Sequence, residues 1–113
     1  MAKPVIRTYS RYSQEALELM GKLIKLARKK RKLTAQDLAG RAGISRGLLQ
    51  RIERGDPKCE IGATFEVATI VGVKLFEIEG STLTGHIERI DDKLALLPRS
   101  VRKKSTKAVD DEF

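Results

Sequence analysis

The sequence contains no tryptophan, one histidine and one cysteine among 113 residues. A lone Cys59 excludes an intramolecular disulfide or a cysteine metal cluster, and a reduced thiol in a cytosolic protein is the expectation. His86 has no second histidine to work with, and no glycine-rich phosphate loop follows a strand; Gly62, Gly72, Gly80 and Gly85 read as punctuation. No converging acid, base, nucleophile or ligand set remains, so no catalysis, metal or cofactor is expected. Aromatics make up only 4% of the chain, which leaves a core of Leu, Ile, Val and Ala. It also removes the pattern of bulky aromatics beside lysines found on membrane-surface helices. No apolar run approaches the roughly 18 residues that span a bilayer. The first residues, MAKPVIRTYSRYSQ, lack the apolar segment of a signal peptide. The expectation is a soluble cytoplasmic protein without a membrane partner.

What is abundant is positive charge. The net charge is +8 and the isoelectric point near 9.9, which calls for an acidic partner. Nucleic acid is favoured, with an anionic surface or another protein as the alternatives.

The charges are organised along one small domain with extended ends. Residues 1–13 mix Pro4, Tyr9 and Tyr12 with Lys3, Arg7 and Arg11 and read as an arm. From a Ser13 cap, Leu17, Met20, Ile24 and Ala27 recur at helical spacing up to the basic run Arg28–Lys32. Thr34 and Asp37 have the spacing of a reciprocal N-cap, and Leu38, Ala39 and Ala42 form an inward face. Gly43 stands where a left-handed residue ends that helix, and Ser45 caps a third one running to Gly55. A fourth covers Ile61–Val71 with Phe65, Ala68 and Val71 inward. A short turn at Lys74–Ile78 adds Leu75 and Phe76, although alternation in IVGVKLFEI also allows a strand.

Beyond it, Leu83, Ile87, Ile90, Leu94 and Leu97 are spaced 4, 3, 4 and 3, the stripe of a helix that Pro98 stops. The stripe suits a dimer seam, a partner surface or a cover for the domain's own core. The last residues are polar and expected to be disordered: basic through Lys107, then Asp110, Asp111, Glu112 and Phe113. The resulting division is 1–13 arm, 14–80 domain, 81–98 amphipathic helix and 99–113 tail.

The strongest signal lies in AQDLAGRAGISRGLLQRIERG. Two helices crossing steeply through a turn of three or four residues need a small residue at closest approach and a glycine in the turn. Ala39 and Gly43 fill those places, with Leu38, Ile44, Leu49 and Ile52 as apolar anchors. The other side of the second helix carries Arg46, Gln50, Arg51 and Arg54.

With Arg28, Leu33-Thr34, Leu38-Ala39, Ala42-Gly43-Ile44-Ser45 and Ile52-Glu53-Arg54-Gly55, the stretch from Met20 to Ile78 resembles the Xre-type helix-turn-helix domains, the class of the lambda and 434 repressors and Cro. The resemblance implies an all-α fold: a five-helix lambda-repressor-like domain, here with an additional C-terminal helix and a flexible tail. It places the third helix in the major groove of double-stranded DNA, with its first residues nearest the bases. Arg46, Gly47, Gln50 and Arg51 would then read bases; arginine matches guanine and glutamine matches adenine. Phosphate or solvent contact is the alternative for these side chains. Gly47 either allows close approach to DNA or is tolerated near a helix start. Thr34, Gln36, Ser45 and Arg54 would contact phosphate. The family's glutamine directly after the helix 2 cap is replaced by Ala35, so Gln36 supplies that clamp from a rotated position or Thr34 and Lys32 substitute. The resemblance also implies a partly buried ion pair between Arg28 and Glu53.

A homodimer on a palindromic operator fits this picture, since half-sites lie about 34 Å apart. The short C-terminal helix, basic linker and DDEF end are similar to HipB-like antitoxins, which repress their own operon and bind a HipA-like kinase toxin. The expected function is a bacterial transcriptional repressor acting on nucleoid DNA. The alternative is a protein-interaction module whose DNA binding is nonspecific or partner-dependent.

Overall fold

The computed structural model describes residues 8–76 and 82–103. The chain divides after Phe76 into two units. The first holds four helices, α1 (Arg11–Lys30), α2 (Ala35–Ala42), α3 (Arg46–Glu53) and α4 (Ile61–Ile70), and the second holds α5 (Leu83–Ala95). The described chain is all-α, as expected.

Helix α1 starts earlier than the periodicity indicated. Its cap is Ser10, whose Oγ accepts the Ser13 amide at 3.2 Å, so the arm ends at residue 10 and not 13. Three cations, Arg28, Lys29 and Lys30, occupy its last turn, where they suit the negative end of the helix dipole.

Both ends of α2 follow from local chemistry. The Thr34 hydroxyl accepts the Asp37 amide and the Asp37 carboxylate accepts the Thr34 amide, each at 3.0 Å. At the other end Gly43 takes φ 70°, a left-handed conformation that glycine adopts without a side-chain clash. Only Gly43, Ile44 and Ser45 separate α2 from α3, and the Ser45 hydroxyl caps α3 by accepting the Leu48 amide at 3.0 Å. Helix α3 ends at Glu53, two residues before the expected Gly55.

Hydrogen bonds from Thr34, through its backbone and then its side chain, hold the Asp37 carboxyl below the usual carboxylate value. Its stabilising effect is therefore complete above about pH 4, where an unfolded aspartate is ionised. It is lost as pH falls through the lower folded value. Asp37→Asn should accordingly melt a few degrees below the parent at neutral pH, and the difference should vanish on acidification; scanning calorimetry across pH 2–7 reads it.

Ile24, Leu38, Ala39, Leu49, Ile52, Val67, Ala68 and Val71 are buried together, with α2 packed on both α3 and α4 and α1 packed on α3. Close approach of α1 is enabled by Gly21: a Cβ there would lie 2.5 Å from the Glu53 carbonyl oxygen and 2.6 Å from that of Ile52. The two backbones touch, and the contact excludes any side chain.

The short helical turn expected at 74–78 does not form within the described residues. Leu75 and Phe76 are bends, and residues 77 and 78 lie outside the described part of the chain. The described residues hold five helices and no strand, four of the helices in the first unit. Phe76 stays exposed and meets half-buried Phe65 edge-on, with ring centroids 6.4 Å apart.

In the second unit, Thr82 caps α5 by accepting the Gly85 amide at 3.1 Å. Leu83, Ile87, Ile90 and Leu94 share one face of α5, and Leu97 falls just past its end. Residues 104–113, including the acidic end and Phe113, lie outside the described residues, as do residues 1–7 of the arm.

Candidate nucleic-acid interface

The first turns of α2 and α3 and the last turns of α1 border one open groove of about 750 Å³. Arg46 and Gln50 line it from α3 and Arg54 from the cap just after it, at intervals of four residues along one side. Thr34 and Ala35 border it from the start of α2, and Lys25 and Lys29 from α1. Four cations and two helix N-termini converge there, which suits an anionic partner with hydrogen-bonding edges.

The floor of this groove is the Arg28–Glu53 pair. The Arg28 Nε donates to Glu53 Oε2 at 2.8 Å and Nη2 donates to Oε1 at 3.0 Å, a two-pronged contact. Nη1 donates to the Leu33 carbonyl at 2.9 Å, so the same guanidinium ties α1 to the α1–α2 turn. The side chains are 10% and 7% exposed. Glu53 raises the Arg28 pKa through this hydrogen bond, against the opposing effect of burial. The pair joins the end of α1 to the end of α3. Among the described residues no buried side-chain nitrogen or oxygen lacks a partner.

The base-reading candidates separate. Arg46 and Gln50 are exposed and line the groove. Gly47 is exposed as well, and a Cβ at that position would meet nothing within 4 Å, so the space before it is open. Arg51 does not line the groove. It is half-buried, and its Nε donates to Asp56 Oδ2 at 3.0 Å. That contact raises the Arg51 pKa, and the Lys58 amide and Arg51 lower that of Asp56. Helical spacing places Arg51 on the outer side of α3, but the acid in the following loop draws it back.

Of the phosphate candidates, Thr34 and Arg54 border the groove, whereas Gln36 and Ser45 are exposed outside its lining. Lys25 and Lys29 were not singled out by the sequence. Their signal was available, since each lies one residue from a buried position on α1, Ile24 and Arg28, on the flank that faces α3. Cys59 is half-buried, and burial followed by Asp56 pushes its thiol up, against the opposing effect of Arg51 and Arg54.

The model of a family described as helix-turn-helix domain matches residues 19–75, just over half of the chain. No curated protein matches the chain. Among the described residues no helix is long and apolar enough to cross a membrane.

Proposed function

The chain belongs to the helix-turn-helix domain family, and from that premise we propose that it is a sequence-specific repressor that binds double-stranded DNA as a homodimer. The observation that carries this reading is the convergence of Arg46, Gln50, Arg54, Lys25 and Lys29 around one groove. In it, α3 enters the major groove with Arg46 and Gln50 at base edges and Gly47 letting the helix approach closely. Arg51 joins them only by leaving Asp56. Thr34, Arg54, Lys25 and Lys29 contact phosphates, with Gln36 and Ser45 at the margin.

Arg46→Ala should cost about 1–3 kcal/mol on the preferred site and relax the choice of base there. Lys29→Ala should weaken preferred and random duplexes equally and reduce the salt slope by about one. Fluorescence anisotropy over a salt series separates the two. Equal losses on both duplexes for Arg46→Ala would remove it from the base-reading set.

The dimer reading rests on the apolar stripe of α5, and two-fold symmetry predicts an inverted-repeat operator. Selection of random duplexes by the purified protein, followed by sequencing at moderate salt, tests it. Enrichment of an inverted repeat supports the repressor; binding that fades with salt and enriches nothing transfers the proposal to an interaction module. Action as the autoregulating antitoxin of a HipA-like kinase extends the same reading to the C-terminal tail, whose three acids and Phe113 form a short docking peptide.

A further inference from the structure

Helix α1 carries a second apolar stripe that its fold does not use. Tyr12, Ala16, Leu19, Leu23 and Leu26 are spaced 4, 3, 4 and 3, and Tyr12, Leu19, Leu23 and Leu26 keep 84, 59, 40 and 52% of their surface exposed. The stripe in the second unit, Leu83 to Leu97, has the same spacing over the same number of residues, with exposures of 53–62%. The α1 stripe extends about 21 Å at helical rise, and the helical part of the other, Leu83 to Leu94, about 17 Å. Around α1 the groove residues Lys25 and Lys29 lie about 140° and 100° from the centre of the stripe, with Leu26 and Lys29 the nearest pair at about 60°.

We propose that the α1 stripe is the docking surface for α5 of a second copy of this chain, so that two reciprocal α1–α5 contacts hold the dimer. The inference rests on the dimer reading above and names its interface.

Area favours this pairing over α5 against α5. At roughly 80 Å² recoverable from each half-exposed side chain, two α5 stripes facing each other bury only ~800 Å² in total. Adding the four large α1 side chains of each copy brings the total to ~1,400 Å², within the range of specific interfaces. Length argues the same way: α5 has 13 residues, and isolated helices of that length are marginal in water. Matching 4-3 stripes interdigitate as knobs into holes.

Charge selects the direction. Running antiparallel, the helices place Glu15 beside Lys93, whereas running parallel they place Glu15 near Asp91.

The test uses the full chain with Cys59→Ser. Leu19→Cys and Ile90→Cys, each at the middle of its stripe, are made in separately tagged copies, mixed and mildly oxidised. The expected product is a cross-linked pair bearing both tags, with Ile90→Cys alone remaining uncross-linked. The pair Leu26→Cys and Leu83→Cys should cross-link in the same way, and Tyr12→Cys with Leu83→Cys should not; the reverse would overturn the antiparallel direction. Leu19→Glu and Ile90→Glu should each raise the dimer dissociation constant about tenfold or more in sedimentation. Because both positions are exposed, the helix content of the chain should be unchanged.

Efficient cross-linking of Ile90→Cys to itself would overturn the proposal in favour of an α5–α5 seam. Thiol loss without mass gain, when both cysteines are in one chain, would overturn it in favour of docking within a copy. A cysteine-free parent that sediments as a monomer at all concentrations would instead remove the dimer reading itself.

Discussion

Replacing Gly21 by alanine should lower the thermal midpoint of the first unit by roughly 10–15 °C, a loss of ~2 kcal/mol. Two effects compete. Alanine in a helix interior gains about 1 kcal/mol over glycine in propensity. Against that, the new Cβ would stand 2.5 Å from the Glu53 carbonyl oxygen and 2.8 Å from its carbon, both backbone atoms that no rotamer change can move. Forcing such atoms apart costs about 1–3 kcal/mol and at times more. Valine adds two further carbons and loses the propensity gain, so Gly21→Val should leave little folded protein at 37 °C. Gly40 is the matched control: it lies inside α2, and a Cβ there meets nothing within 4 Å. Gly40→Ala should raise the midpoint. If both alanine variants move the midpoint upward, the close approach of α1 to α3 is wrong.

Arg28→Ala should destabilise by about 3 kcal/mol or more, because it leaves the Glu53 carboxylate buried at 7% exposure without its cation. The Leu33 carbonyl loses its guanidinium donor in the same step. The double replacement Arg28→Met with Glu53→Leu should be milder than Arg28→Ala, since apolar side chains of similar volume often replace a buried pair without loss. Urea midpoints of the single and double variants measure this directly. DNA affinity measured at a temperature where all variants are folded then reports a separate property, the slope at which α3 crosses the groove. If the pair only supplied stability, the double variant would bind as well as the parent; we expect it to bind more weakly.

Reading the sequence succeeded where a feature has a local cause. The Thr34–Asp37 cap, the left-handed Gly43 and the Ser45 cap each need only residues within three or four positions, and all three are in place. The Arg28–Glu53 pair spans 25 residues and was inferred from family resemblance; no local rule reaches that far. Three departures have physical reasons. Gly21 was overlooked because a glycine between Met20 and Lys22 looks like any weak helix position until a second backbone is laid against it. In α4, IGATFEVATI is apolar almost all round, so periodicity places Ala68 inward but does not select Val67, which is buried beside it. Helical spacing and the family resemblance both put Arg51 on the outward side of α3, and its partner Asp56 sits in a loop whose course neither predicts.

The short connection through Gly43, Ile44 and Ser45 is held by the cap of α3 and by the amide of Ile44, which donates to the Ala39 carbonyl at 3.0 Å. Helix α3 is aimed by its backbone ends, by Leu49 and Ile52 beneath it and by Glu53 at its close. The Arg46 and Gln50 side chains are exposed, and a Cβ at Gly47 would meet nothing within 4 Å. The three positions therefore form a replaceable cassette. Variants at these exposed positions should leave the packing of the scaffold unchanged, with stability shifting only by the helix propensity of each residue, up to about 1 kcal/mol at Gly47.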